Sequence, residues 1–210
     1  MAITEIRPVV CMACGHKQSV LDVRQINVQK RPEIKQKILQ GSLFPMYCHA
    51  CGAVLEKAQN CLYIDPAIPL LLELAAPGEP CRLQEVQSGL GDTGAIIRVV
   101  RTPEDMAEKL RIFDCGMDDR VVEIIRLLMV TQLTEQDPGL MEGSPMFTAA
   151  QGEPKLSCLC RDGSERVCPI PQKLHRDIQS QYLAGKEDRD TLIVDSAWVY
   201  RLLLSQKGRG

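Results

Sequence analysis

Aromatic side chains are scarce in this chain: one Trp, four Tyr and three Phe among 210 residues, 4% in all. Proteins that hold single-stranded nucleic acid stack bases on rings, and few rings are on offer here. The core has to be built from Leu, Ile, Val, Met and Cys instead. A basic excess is also missing. Lys and Arg number 25 against 27 Asp and Glu, for a net charge of -2 and a pI near 6.0. That balance argues against a broad nucleic-acid surface, though not against a local patch. There is no long hydrophobic run either. The longest, Ile68 to Ala76, is broken by Pro69 and Glu73 and falls short of the ~20 residues a bilayer needs. Met1 to Val10 lacks the charged start and apolar core of a signal peptide. A soluble cytoplasmic protein with no membrane insertion is the expectation.

Cysteine, by contrast, is abundant, at ten residues. In a reducing compartment thiols stay reduced, and paired C-x-x-C then reads as metal binding. Two such units stand in the first quarter of the chain: Cys11-Met-Ala-Cys14-Gly15 and Cys48-His-Ala-Cys51-Gly52. Each turn brings two sulfurs to one point, and the glycine accepts the positive φ that closes it. Two facing turns supply four thiolates in a tetrahedron, at roughly 2.3 Å from zinc. Four thiolates leave no open position, so the expected site is structural: one Zn2+ held by Cys11, Cys14, Cys48 and Cys51. By analogy with zinc fingers, it would add on the order of 10 kcal/mol to folding. Iron is the chemical rival for such a donor set. His16 and His49 are expected to be exposed or to lie outside the ligand shell.

Strands are expected on both sides of each turn, at Val9–Val10, 19–28, 43–47 and 53–55. A short helix lies between the turns, from Arg31 to Leu39. Pro32 suits its first turn, Ile34 and Ile38 repeat at i,i+4, and Gly41 follows its end. Further strands are expected at 62–65, 70–75 and 95–100, punctuated by Pro66, Pro69, Pro77 and Pro80, with a turn at 91–94. Thr102-Pro-Glu-Asp105 has the form of a capping box. Met106, Leu110 and Phe113 mark one face of its helix. Asp118 and Asp119 suit the positive end of the next helix, and 121–130 is apolar enough to be a buried central one. Residues 134–154 read as a linker or long loop. A hairpin around Asp162-Gly163 follows, then a helix from Gln172 to Leu183, a charged loop at 186–190, a short strand at 192–194 and a closing helix from Ser196 carrying Trp198. The expected class is α+β: a zinc-ribbon-like β element (8–58) with an inserted helix, on a small α+β core with a buried central helix. That is a zinc-binding domain over 1–133, a linker over 134–154 and a C-terminal α+β extension over 155–210.

The chain resembles the bacterial CpXC-domain proteins, a family without an assigned reaction. The likeness rests on the cysteine pairs, on Ile26-Asn-Val28, on Pro32-Glu-Ile-Lys-Gln-Lys-Ile-Leu-Gln-Gly-Ser-Leu-Phe44, on Leu62-Tyr63 and Asp65, and on Arg111-Ile-Phe-Asp-Cys-Gly-Met-Asp-Asp-Arg-Val-Val-Glu123. It covers roughly residues 8 to 133 and implies a zinc-ribbon-like element within an α+β domain. The family's proline after the first cysteine of each pair is replaced here by Met12 and His49. Its histidine after the Leu-Tyr pair is replaced by Ile64.

The other cysteines read first as small core residues. Cys61, Cys81 and Cys115 stand alone. Cys158, Cys160 and Cys168 sit on the hairpin, where register decides which face each takes. A two-residue turn at Asp162-Gly163 puts Cys168 opposite in face to the other two; a three-residue loop, 162–164, puts it across from Cys158. His175 is the remaining histidine, and a Cys–His pairing through the fold stays open. Asp65 is the carboxylate to watch, with a turn before Pro66 as its simpler role. With no complete catalytic set, an interaction protein with an unknown protein partner or a second copy of itself is preferred over an enzyme. The alternatives are a nucleic-acid-binding ribbon using Lys30, Arg31, Lys35 and Lys37, and a thiol-based redox sensor or enzyme.

Overall fold

The computed structural model describes residues 3–56, 60–76, 81–83, 94–150, 152–185 and 191–207. Pro77, Pro80, the turn at 91–93 and the charged loop at 186–190 lie outside them. The architecture is α+β. The chain divides into two compact units, Met1–Ala107 and Glu108–Gly210, not at the 134–154 stretch that composition suggested.

The first unit is built on a five-stranded sheet in the order β1-β2-β5-β6-β7. Strands β1 (Ile3–Val10) and β2 (Lys17–Asn27) flank the first cysteine turn. The short β3 (Met46–Tyr47) and β4 (Val54–Glu56) flank the second. Then come β5 (Cys61–Asp65), β6 (Leu70–Leu74) and β7 (Ile96–Val100). β1 runs antiparallel to β2 along its length, but β5 joins β2 in parallel only at Gln25–Asn27. From Lys17 to Arg24, β2 is therefore paired with β1 alone. That stretch is a two-stranded ribbon with the first cysteine turn at its tip, and β1 is exposed at most positions. A ribbon with so little buried surface is marginal by itself in water.

Where strands are flanked on both sides, the apolar side chains go inward. Ile26, Tyr63, Leu72 and Leu74 are wholly inaccessible. Helix α1 (Pro32–Leu39) begins on Pro32 and buries Ile34 and Ile38, one turn apart. Its end is closed by Gly41 N–H to the Ile38 carbonyl and Ser42 N–H to the Lys37 carbonyl, both 2.9 Å. That paired pattern satisfies carbonyls that the last turn would otherwise leave bare.

Helix α2 (Pro103–Asp114) starts where Thr102 Oγ1 accepts the Asp105 N–H at 3.1 Å, the cap its sequence announces. Met106, Leu110 and Phe113 are buried. The second unit centres on α3 (Asp119–Gln136). Its first two turns are buried on every side, through Val121, Val122, Ile124 and Ile125. Further along only one face is, and Leu128 is 43% exposed. Around α3 gather Phe147 and Leu156 from a three-stranded sheet, Ile178 from α4 (Gln172–Leu183), and Val199 and Leu202 from α5 (Ser196–Lys207). The sheet, ordered β10-β9-β8, comprises β8 (Met146–Ala150), β9 (Glu153–Leu159) and β10 (Glu165–Pro169). So the stretch read as a linker holds the end of α3, all of β8 and the start of β9. Its glycines and prolines punctuate folded elements. Residues 192–194 form no strand; Val194 is buried, and its carbonyl accepts from Lys109 Nζ at 3.1 Å.

The start of α3 is held twice. The Asp118 carboxylate accepts the Arg120 N–H at 2.9 Å. The Asp118 N–H in turn donates to His175 Nε2 at 3.0 Å. Only an unprotonated Nε2 can accept. Burial holds the His175 pKa below its ordinary 6.5, against the pull of Asp118. The unfolded chain takes up a proton near 6.5 and the folded one resists it, so unfolding gains protons in acid. This contribution to stability is present above pH 6.5 and is lost as pH falls through the folded-state value. The denaturation midpoint should therefore drop on acidification below pH 6.5. His175→Gln, which keeps an acceptor but does not titrate, should flatten that slope. A variant that follows the wild type through the window would remove histidine as its source.

Candidate metal centre

Each cysteine turn is closed by the same pair of backbone bonds. Cys11 N–H donates to the His16 carbonyl at 2.9 Å, and Cys48 N–H to the Ala53 carbonyl at 2.8 Å. Gly15 N–H returns to the Cys11 carbonyl and Gly52 N–H to the Cys48 carbonyl, both at 2.8 Å. Gly15 and Gly52 each take φ 74°, in the left-handed region, and a Cβ on either would meet nothing within 4 Å. The glycine is there for the backbone angle and not for space. In both turns the first cysteine is buried and the second exposed.

The four Sγ atoms lie within 4.8 Å of one another. Cys11 and Cys51 are 3.7 Å apart, and Cys14 and Cys48 3.6 Å. A tetrahedron with arms of ~2.3 Å has edges of about 3.8 Å, so this spacing suits four ligands around one ion. It is far longer than the ~2.05 Å of a disulfide. The protonation of the sulfurs points the same way. Burial tends to push the Cys48 thiol up. Hydrogen bonds from the backbone of Cys51 and Ala50, and from the Cys14 and Cys51 thiols, outweigh it and bring it to about 7. Cys14 moves oppositely. The backbone bond at His16 favours its thiolate, but Cys51, desolvation, Cys48 and Cys11 push it up to about 12. One negative charge is welcome at this spacing. Four need a cation among them.

His16 and His49 are exposed, and the sulfur cluster does not include them. Gln18, which nothing in the sequence marked, reaches across from β2 to the second turn. Its Nε2 donates to the Tyr47 carbonyl at 3.1 Å, and its Oε1 accepts the His49 N–H at 2.9 Å.

Of the remaining cysteines, Cys61, Cys81 and Cys115 stand in separate segments of the chain and Cys158, Cys160 and Cys168 on one hairpin. Burial, followed by the charge of Asp22, pushes Cys61 up to about 12. Cys81 donates to Glu73 Oε2 at 3.1 Å. Glu73 is itself buried in β6 and also accepts the N–H groups of Arg82 and Leu83. Burial likewise raises Cys115, Cys158 and Cys168. The hairpin has a register that neither sequence alternative gave. Leu159 pairs with Glu165 and Leu156 with Cys168, so Cys158, Cys160 and Cys168 share a face and Cys158 lies opposite Arg166. The loop is 161–163, closed by Cys160 N–H to the Ser164 carbonyl. Asp162 accepts from both the N–H and the hydroxyl of Ser164, and Gly163 (φ 80°) ends the loop. Cys158 donates to the Gly143 carbonyl at 3.3 Å.

Asp65 is 6% exposed. It accepts from the Tyr63 hydroxyl and the Ala67 N–H and pairs with Lys35 Nζ at 3.5 Å. It anchors the turn after β5 to α1. His175 meets the start of α3 rather than a thiol.

Among the described residues, no helix is long and apolar enough to cross a membrane. The sequence model of the family described as CpXC protein matches residues 9–126, more than half of the chain. No curated protein and no solved structure matches it.

Proposed function

The chain belongs to the CpXC protein family, and from that premise we propose that Cys11, Cys14, Cys48 and Cys51 hold one structural zinc ion and that the ribbon it braces docks onto another protein. The observation that carries the metal half is the pair of matching turns with four sulfurs at tetrahedral spacing. Four cysteines close the coordination shell, so the ion stabilises instead of activating water. Support for the docking half comes from apolar side chains left in solvent on and beside the ribbon. Ile6 and Leu21 face each other across β1 and β2, 76% and 60% exposed. Met12 is 97%, Tyr47 55% and Val54 52% exposed. Large apolar groups gathered on a braced element suit a protein surface better than water.

Two observations weaken the alternatives. Of the four cations on or beside α1, Arg31 is paired with Glu33 and Lys35 with Asp65, which leaves less charge for phosphate. The raised thiols of Cys61, Cys115, Cys158 and Cys168 are shifted away from the reactive thiolate form. The reading is tested by native mass and metal analysis, expected to give one zinc per chain; a metal-free or iron-loaded native protein would refute the zinc. Cross-linking and size measurement should show a partner or a second copy on the ribbon, lost in an Ile6→Ser/Leu21→Ser variant. A lone monomer with no ribbon cross-links would refute the docking. In a gel shift, no retardation of nucleic acid is expected even at low salt, where phosphate contacts are strongest.

A further inference from the structure

We infer that Gln18 is a positioning residue for the metal centre: its side-chain amide clamps the second cysteine turn to the strand leaving the first, and so slows loss of the ion. This rests on the reading of the four cysteines as a metal site. The argument begins from how the two turns are supported. The first grows out of β1 and β2, which are paired along eight residues of β1. The second sits between β3 and β4, two and three residues long, which form a two-stranded sheet by themselves. So short a hairpin does not hold a turn in place. It also arrives after α1, so closing the centre costs the entropy of a long intervening loop.

Gln18 supplies a fixed tie at that point. Its two bonds go to the Tyr47 carbonyl and the His49 N–H, the peptide groups flanking Cys48. The carbonyl can only accept and the N–H can only donate, so the amide has one orientation that serves both. A planar group with both ends engaged fixes direction as well as distance. The backbone of Cys48, the buried ligand of its turn, is thus set against β2 by contacts that do not involve sulfur. Position 49 takes part through its N–H, which a proline there would lack. A preorganised ligand recaptures an ion that has begun to leave, so the clamp acts mainly on release. Two solvent-accessible hydrogen bonds support a change of about tenfold rather than a thousandfold.

The experiment compares the wild type with Gln18→Ala, Gln18→Glu, His49→Pro and the Gln18→Ala/His49→Pro pair. Each is loaded with Co2+ to record thiolate-to-metal absorption, and with Zn2+ to follow its transfer to excess chelating dye. All are expected to bind one ion with the same tetrahedral thiolate spectrum. Gln18→Ala should release zinc about tenfold faster. Gln18→Glu, which keeps the acceptor for His49 but loses the donor for Tyr47, should fall between. With His49→Pro in place, Gln18→Ala should accelerate release by a clearly smaller factor, because one of its two bonds is already gone. Release from Gln18→Ala within twofold of wild type would overturn the inference, as would an equal acceleration in both backgrounds. Should Gln18→Ala fail to load, Gln18→Glu decides: faster release than wild type supports the clamp, and equal release overturns it. A wild type that takes up neither ion refutes the metal reading itself, a distinct result.

Discussion

Excess chelator applied to the native protein is expected to unfold the ribbon and leave the C-terminal unit folded. Hydrogen exchange should lose protection over Ile3–Val10, Lys17–Arg24 and the second turn, while α3, β8 and β9 keep theirs. Cys11, Cys14, Cys48 and Cys51 should become open to alkylation together. The asymmetry follows from where the buried surface is. β1 has no buried position and the free-standing part of β2 has two, Val20 and Asp22, so the ribbon gains little from the hydrophobic effect. A structural zinc site contributes on the order of 10 kcal/mol in zinc-finger peptides, comparable with the ~5–15 kcal/mol net stability of a whole domain. The ribbon therefore has nothing of similar size to fall back on. The C-terminal unit has its own core around Val121, Val122, Phe147 and Leu156, with none of the four sulfurs in it. Cys48→Ser should reproduce the chelator's effect without chelator. Exchange in β1 and β2 that the chelator leaves unchanged would show that the ribbon stands without a metal among the sulfurs.

How much of this was legible in the sequence follows the range of the interactions involved. The four-cysteine cluster could be read because both turns are local: C-x-x-C-G fixes a backbone shape within five residues, and two such shapes can bring four sulfurs together. The start of α1 on Pro32, the capped start of α2 and the α4 segment are local too, and they lie where residue pattern put them. Register is not local. The hairpin loop is shifted by one residue from Asp162-Gly163 because Gly163 ends the loop while Asp162 binds Ser164, and that one step decides which face Cys168 takes. The glycines and prolines of 134–154 signalled a break in structure. They border β8, whose place is set by Phe147 entering a core assembled from distant segments. Gln18 is the extreme case. A glutamine on a strand next to a lysine carries no signal, and its partners lie 29 and 31 residues away.

The same long-range logic makes Glu108 a non-cysteine position where one substitution should cost much. The side chain is buried on α2. One carboxylate oxygen accepts the Phe147 N–H at 2.7 Å, and the other accepts from Arg126 at 2.7 Å. Glu108→Ala removes both at once. It leaves the N–H of a core residue with no acceptor and strips one of two carboxylates from Arg126, whose other partner is Glu123 at 3.2 Å. Breaking a buried ion pair from one side costs about 3–5 kcal/mol, and a buried N–H left bare about 1–3 kcal/mol. The losses overlap through local relaxation, so about 4 kcal/mol is expected, a large share of a domain's net stability. Glu123 does not make it good: burial pushes its carboxyl up, in spite of Arg126 and Lys109, so it is a poorer anion than an ordinary carboxylate. Because that pKa is raised, the folded state holds the Glu123 proton in preference to the unfolded one. Its contribution is complete below the ordinary carboxylate pKa of 4.5 and is lost as pH rises through the folded value. Glu108→Gln separates the two roles, since its amide oxygen can still serve the Phe147 N–H while the charge is gone; it should cost less than Glu108→Ala. Urea denaturation at neutral pH, followed by the near-ultraviolet signal of Trp198, measures both. A Glu108→Ala midpoint close to wild type would mean that water or a shifted β8 satisfies these groups, and that charge here is incidental to the fold.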